Sequence, residues 1–145
     1  MWYKVQNDDD VKYLMDRMCC FHDSCIKEIK YVSGSYVEDD LGMHALNDKR
    51  IISMIIQRQY EADPVVELEF SKVRYMKLCP VDEMYTSEIF SAVCEMRDGL
   101  IYWYDAKGFA ENDDCCGTEI CSTELRWRVV NNCLGDKAIY GEIAE

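Results

Sequence analysis

Histidine, basic charge and long apolar runs are all scarce in this chain, and each shortage removes a class of function. Two histidines in 145 residues exclude a multi-histidine metal centre, which draws several imidazoles onto one ion. Lysine and arginine number 16 against 28 aspartate and glutamate, a net charge of −12. Phosphates are repelled by such a chain, so nucleic acid and an anionic membrane surface are poor partners and a basic protein is the better one. No apolar run is long enough to span a bilayer. The segment Met1–Asp10 lacks the apolar h-region of a signal peptide, which predicts a cytoplasmic protein. G-x-S-x-G, a phosphate-cradling glycine loop, H-E-x-x-H and EF-hand spacing are all missing. With no internal repeat and no linker, residues 1–145 read as one domain.

What is present is material for a core. Hydrophobic residues make up 49% and aromatics 12%, which argues against disorder. A domain of about 150 residues buries roughly 68–70% of its unfolded surface, so no disulfide or metal is needed to hold it together. Nine cysteines are an odd number in a reducing compartment, and the expectation is nine reduced thiols packing as small hydrophobes.

Periodicity changes once, from helix to strand. Asn7 or Asp8 caps a helix in which Val11, Leu14, Met15 and Met18 form one apolar stripe, with its end expected near Cys20. Trp2 and Tyr3 before it either form a short strand or pack beneath it. Phe21–Ser24 reads as a turn, and from Ile26 the chain alternates as strand, with Ser33-Gly34-Ser35 as a bulge or tight turn. Val37–Lys49 reads as an acidic loop carrying His44. Ile52, Met54, Ile56 and Tyr60 mark a dry face, as do Val66, Leu68 and Phe70 after the turn at Glu61–Pro64. A bulge or bend at Ser71-Lys72 then separates the latter from a strand over Val73–Leu78. Phe90, Ala92, Cys94 and Met96 lead to Asp98-Gly99, and Ile101–Tyr104 returns, the pattern of a hairpin with a type I′ turn and those four residues facing the core. Ala106–Gly117 is a polar, acidic loop. Between Glu119 and Val129, Cys121, Leu125, Trp127 and Val129 define a dry face opposite Ser122, Glu124, Arg126 and Arg128. The tail from Asn131 is either a short helix or a frayed end.

Two groups of residues carry chemistry. His22 and Asp23, at the helix-to-strand corner, are the candidates for a general base or metal ligand. Cys19, Cys20 and Cys25 surround them, and Cys115, Cys116 and Cys121 form a second thiol group. The spacing does not match the separated pairs of structural zinc sites, so neither a metal nor a cofactor is expected. The second group is Arg58, Trp103, Asp105, Arg126 and Arg128. It is read either as an anion or carboxylate pocket or, for the two strand arginines, as cross-strand ion pairs with Glu67 and Glu69. The carboxylate pairs Asp39-Asp40, Asp82-Glu83 and Asp113-Asp114 read as solvated loops.

Phe21–Ile29 (FHDSCIKEI), Ser33–Val37 (SGSYV), Gln57-Arg58-Gln59, Val66–Phe70 (VELEF), Pro80–Glu83 (PVDE), Ile101–Asp105 (IYWYD) and Leu125–Arg128 (LRWR) resemble an uncharacterised family of small bacterial proteins, frequent in Firmicutes. The resemblance covers most of Trp2 to about Val130. It implies a bacterial, single-domain protein and brings no activity with it. A fainter likeness, in size, charge and helix-then-sheet layout, is to small acidic immunity proteins that block toxins.

These readings combine into an α+β fold: an N-terminal helix on a twisted, mostly antiparallel sheet of about six to eight strands, curving toward a half-barrel. The expected function is non-enzymatic binding of a partner, immunity-like toward a basic protein. The alternative is a small enzyme or metal-dependent protein centred on His22 and Asp23. Convergence of His22, Asp23, Asp105 and Arg126 on one dry cleft would favour chemistry, and their dispersal would favour binding.

Overall fold

A computed structural model describes residues 1–106 and 117–141. Asn7 caps the helix α1 (Asp8–Arg17): its side chain accepts from the Asp10 N–H at 2.9 Å, while Asp10 Oδ2 accepts from the Gln6 N–H at 2.8 Å. This reciprocal arrangement satisfies two N–H groups at the helix start, and three aspartates in the first turn complement its positive end. Val11, Leu14, Met15 and Met18 are buried as the stripe requires. The helix stops at Arg17, earlier than the expected Cys20, because Cys19, Cys20 and Phe21 turn left-handed, with φ of 51°, 51° and 56°.

The described residues form nine strands. They are β1 (Tyr3–Val5), β2 (Ser24–Val32), β3 (Tyr36–Val37), β4 (Met43–His44), β5 (Ile51–Arg58), β6 (Val65–Lys77), β7 (Val93–Arg97), β8 (Leu100–Tyr104) and β9 (Glu119–Val129). Seven form one sheet in the order β2-β5-β6-β9-β8-β7, with β1 added on β9, and every pairing among them is antiparallel. β3 and β4 form a separate small hairpin inside the expected Val37–Lys49 loop. The sheet curls without closing a barrel. Near one end its two edges meet in a single bridge, where the Ile89 N–H donates to Ser24 O at 2.7 Å.

β9 lies in the middle. β6 pairs along one side, with Phe70 opposite Leu125 and Leu68 opposite Trp127, while β8 and β1 share the other. The helix packs over these apolar side chains, and Leu14, Met18, Phe21, Ile56, Leu68, Phe70, Trp103 and Trp127 share one core. The alternation slips where the strands bend. Lys72 has φ of 52°, and the β6–β9 register shifts between Val73 and Tyr75. β6 is therefore one bent strand rather than two. Past the bend Ile120 joins the core, whereas Cys121, expected beside Leu125, is buried outside it, as an irregularity moves alternate side chains to the other face.

Other expectations also change. Phe90 is 63% exposed, since β7 begins only at Val93 and Ile89 fills the core position. Tyr60 lies beyond β5, its ring under the Arg58 guanidinium at 4.4 Å. The tail through Gly141 contains no helix and straps the outer sheet face. Gln57 Nε2 donates to Cys133 O and Gly135 O at 2.8 and 2.9 Å, and the Glu28 carboxylate accepts the Ile139 and Tyr140 N–H groups. Those backbone donors hold the Glu28 carboxyl below the usual range. Cys19, Cys20, Cys25, Cys94, Cys121 and Cys133 are free thiols, but Cys79 is disulfide-bonded, which corrects the expectation of nine reduced cysteines. An odd count forbids complete pairing, not a single bridge. The expected loop over 106–117, with Cys115, Cys116 and Asp113-Asp114, lies largely outside the described residues.

The hairpin turn gives a direct test. Asp98 and Gly99 have φ of 52° and 75°, and Arg97 pairs with Leu100. A side chain at Gly99 would meet nothing within 4 Å, so Gly99→Val is strained by backbone conformation alone. Chemical denaturation should show a loss of about 1–2 kcal/mol, and an unchanged midpoint would contradict the turn.

Candidate functional site

The corner after the helix is made of residues in costly conformations. Besides Cys19, Cys20 and Phe21, Asp23 has φ of 54°, and a left-handed residue other than glycine costs roughly 1–2 kcal/mol. Several contacts hold it there. Phe21 is fully buried with its ring edge against Trp103, centroids 6.2 Å apart. Cys20 O accepts the Ala92 N–H at 2.8 Å and Asp23 O accepts the Gln59 N–H at 3.0 Å. Backbone strain held by its surroundings is characteristic of functional positions.

An open cleft of about 430 Å³ lies beside this corner. Asp23, Ser24 and Cys25 at the start of β2, Gln57, Arg58 and Gln59 at the end of β5, Thr86, Ser87 and Glu88 before β7, and Leu134 in the tail line it. The register Ser24↔Arg58 and the bridge Ser24↔Ile89 bring these segments together. Glu88 stands beside Asp23 on the cleft wall. Interaction with the Asp23 carboxyl and partial burial push the Glu88 carboxyl above its ordinary range, against the opposing pull of His22. His22 Nδ1 lies 2.7 Å from Phe90 O, a carbonyl that only accepts, so Nδ1 carries the proton, and Nε2 faces Asp23 Oδ1 at 3.4 Å. The contact at Nε2 is an ion pair only when the ring is protonated, and a neutral ring that donates from Nδ1 keeps its lone pair on Nε2, beside Asp23.

The remaining candidates are dispersed. Arg58 is buried, donating from Nη1 to Ala62 O and Asp63 O at 3.2 and 2.8 Å, and Nε has no partner. Burial depresses its pKa from the usual guanidinium value. Trp103 is wholly in the core, and its indole N–H also lacks a partner. Asp105 follows β8, where Oδ1 accepts the Thr118 N–H at 2.9 Å, and a Cβ on Gly117 would sit 2.2 Å from that oxygen. Burial raises the Asp105 carboxyl, partly offset by the Thr118 donor. Arg126 and Arg128 lie on the sheet face away from the core. Their forks meet Glu69 at 2.8 Å and Glu67 at 2.7 Å, and both guanidinium groups stack on Trp2, at 4.3 and 4.5 Å. These are the cross-strand pairs expected from the alternation. Asp23 and Arg58 thus line the cleft, with His22 next to Asp23 at its edge, while Trp103, Asp105, Arg126 and Arg128 are committed elsewhere.

Glu88, Thr86 and Ser87 carried no signal in the sequence. They lie far from Asp23 along the chain in a stretch without periodicity, and only the meeting of the sheet edges unites them. Gln57, Gln59 and Cys25 did occur within the strings that carry the resemblance. Among the described residues no three His, Cys, Asp or Glu side chains converge as metal ligands, and no helix is long and apolar enough to cross a membrane. Comparison of the chain with protein-family models, with curated proteins and with solved structures finds no match.

The Asp23–Glu88 pair gives a pH-dependent test. A carboxyl that holds its proton more tightly folded than unfolded lowers stability as pH rises from the ordinary value through the raised one. Asp23→Asn, which tolerates the left-handed backbone and can donate to Glu88, should return the Glu88 midpoint toward the ordinary range in a carbon-detected NMR titration. An unmoved midpoint would separate the two groups.

Proposed function

We propose that this protein is a non-enzymatic binding protein whose cleft receives a cationic group from a basic partner. The observation behind the reading is that the carboxylates of Asp23 and Glu88 stand together at an open cleft. Two neighbouring carboxylates repel, which disfavours ionising both, whereas a lysine or arginine between them offsets that repulsion and gains charge-assisted hydrogen bonds. The net charge of −12 favours fast, salt-sensitive encounter with a basic surface. Dispersal of Asp105 and Arg126 away from His22 and Asp23 supports binding over chemistry. An immunity-like role, in which an acidic protein covers a basic toxin, is one form of this reading. The resemblance set out above would make that role a bacterial one.

Hexa-arginine is a suitable probe. Its binding should shift the Asp23 and Glu88 carboxyl resonances and weaken as salt rises, and Asp23→Asn combined with Glu88→Gln should reduce affinity about tenfold. Unchanged affinity in that double variant would place the contact elsewhere. A small substrate turned over by the protein, with turnover lost in folded His22→Ala, would move the function to catalysis.

A further inference from the structure

The small hairpin Tyr36–Leu46 is shaped by bonds of its own. Tyr36 pairs with His44 and Val37 with Met43, and the Tyr36 and His44 rings stack 4.8 Å apart. The Glu38 N–H donates to Gly42 O and the Gly42 N–H to Asp40 Oδ1, each at 2.8 Å. His44 Nε2 meets Asp48 Oδ2 at 3.1 Å. At its base Gly34, with φ of 103°, approaches so closely that a Cβ would lie 2.1 Å from Asp48 Oδ1.

Its apolar side chains nevertheless contribute nothing to the core. Val37, Leu41, Met43 and Leu46 are 54%, 82%, 70% and 60% exposed, and none belongs to the core cluster. Exposed apolar residues scattered singly need no explanation, but here four fall within residues 37–46 of one short hairpin segment. Val37 and Met43 are cross-strand partners and so share a face. Between Tyr36 and Asp48 the chain carries Glu38, Asp39, Asp40 and Asp48 and no lysine or arginine. A second copy would bring another acidic tip against this one, and like charges in contact disfavour that pairing.

We propose that the Tyr36–Leu46 hairpin is a docking tip that places Val37, Leu41 and Met43 on a basic, amphipathic surface of a protein partner, apolar at its centre and bordered by lysine or arginine. The inference rests on the reading of the chain as a binding protein but not on the cleft. The cleft lies at the Ser24/Arg58 end of β2 and β5, and the hairpin extends from the Val32/Ile51 end. The acidic residues steer the encounter, the apolar ones slow dissociation, and the pre-set backbone limits the entropy lost on docking.

The test titrates the isotope-labelled full chain with a synthetic amphipathic helix of leucine and lysine. Analogues with leucine replaced by serine, and with lysine replaced by glutamate, serve as controls. Amide shifts should concentrate at residues 36–46, and each analogue should bind at least about tenfold more weakly. Combined Val37→Ser, Leu41→Ser and Met43→Ser should lower affinity for the leucine–lysine helix by a similar factor, with melting unchanged. Leu41→Ser alone, at the most exposed site, repeats the measurement with the least perturbation. Equal affinity for the serine analogue, shifts confined to the cleft, or undiminished binding by both variants would overturn the proposal. A dimer in sedimentation that the triple variant abolishes would overturn it too, making a second copy the occupant. Retained hairpin binding alongside failure of the Asp23/Glu88 variant to alter hexa-arginine affinity would remove the cleft reading and leave this one standing.

Discussion

The pairing of β6 with β9 is the interaction on which the rest of the molecule depends. It sorts side chains into two environments with one ladder. On the inner face Leu68 meets Trp127 and Phe70 meets Leu125, and on the outer face Glu67 meets Arg128 and Glu69 meets Arg126. β1 and β8 attach to β9, and β5 attaches to β6, so both flanks of the sheet are registered through these two strands. Glu67 is a buried carboxylate, served by Arg128 on one oxygen and by the Tyr140 hydroxyl at 2.8 Å on the other. A buried charge is costly unless paired and hydrogen-bonded, and here the pairing also ties the tail to the sheet.

From that centre the sheet curls until its edges touch. The bridge from Ile89 to Ser24 and the bond from Ala92 to Cys20 pull the segment before β7 onto the start of β2. The left-handed corner must be held open in that place, and the buried Phe21 ring against Trp103 acts as its anchor. Closure of the edges is also what forms the cleft. Glu88 reaches Asp23 only because the sheet bends this far, so the electrostatics of the site follow from curvature rather than from any local motif.

The excess of acid serves two ends in this architecture. On the sheet face, carboxylates opposite arginine are used up in ion pairs stacked on Trp2. At the cleft and along the β3–β4 hairpin no lysine or arginine pairs with the carboxylates among the described residues: Asp23 faces Glu88 and His22, and Glu38, Asp39 and Asp40 are exposed. Acid paired with arginine and acid without such a partner therefore occupy different parts of the described surface.

The sequence by itself determined the element types. Helical spacing of Val11, Leu14, Met15 and Met18, alternation in Val66–Phe70 and Leu125–Val129, and Asp98-Gly99 between two strands are local patterns, and burial of one face obeys them directly. The cross-strand partners of Arg126 and Arg128 were legible for the same reason, since alternation puts charge opposite charge. Phase errors arose where the backbone bends, at Lys72 and between Val73 and Tyr75, since such an irregularity moves Cys121 off the core face without any change in composition. The β3–β4 hairpin was missed because two-residue strands leave no periodicity to read. At the candidate site, His22, Asp23 and Arg58 stood out by residue type, but Glu88, Thr86 and Ser87 did not. Only tertiary structure decided their company, because sheet curvature, set by the summed twist of seven strands, is a property of no single segment.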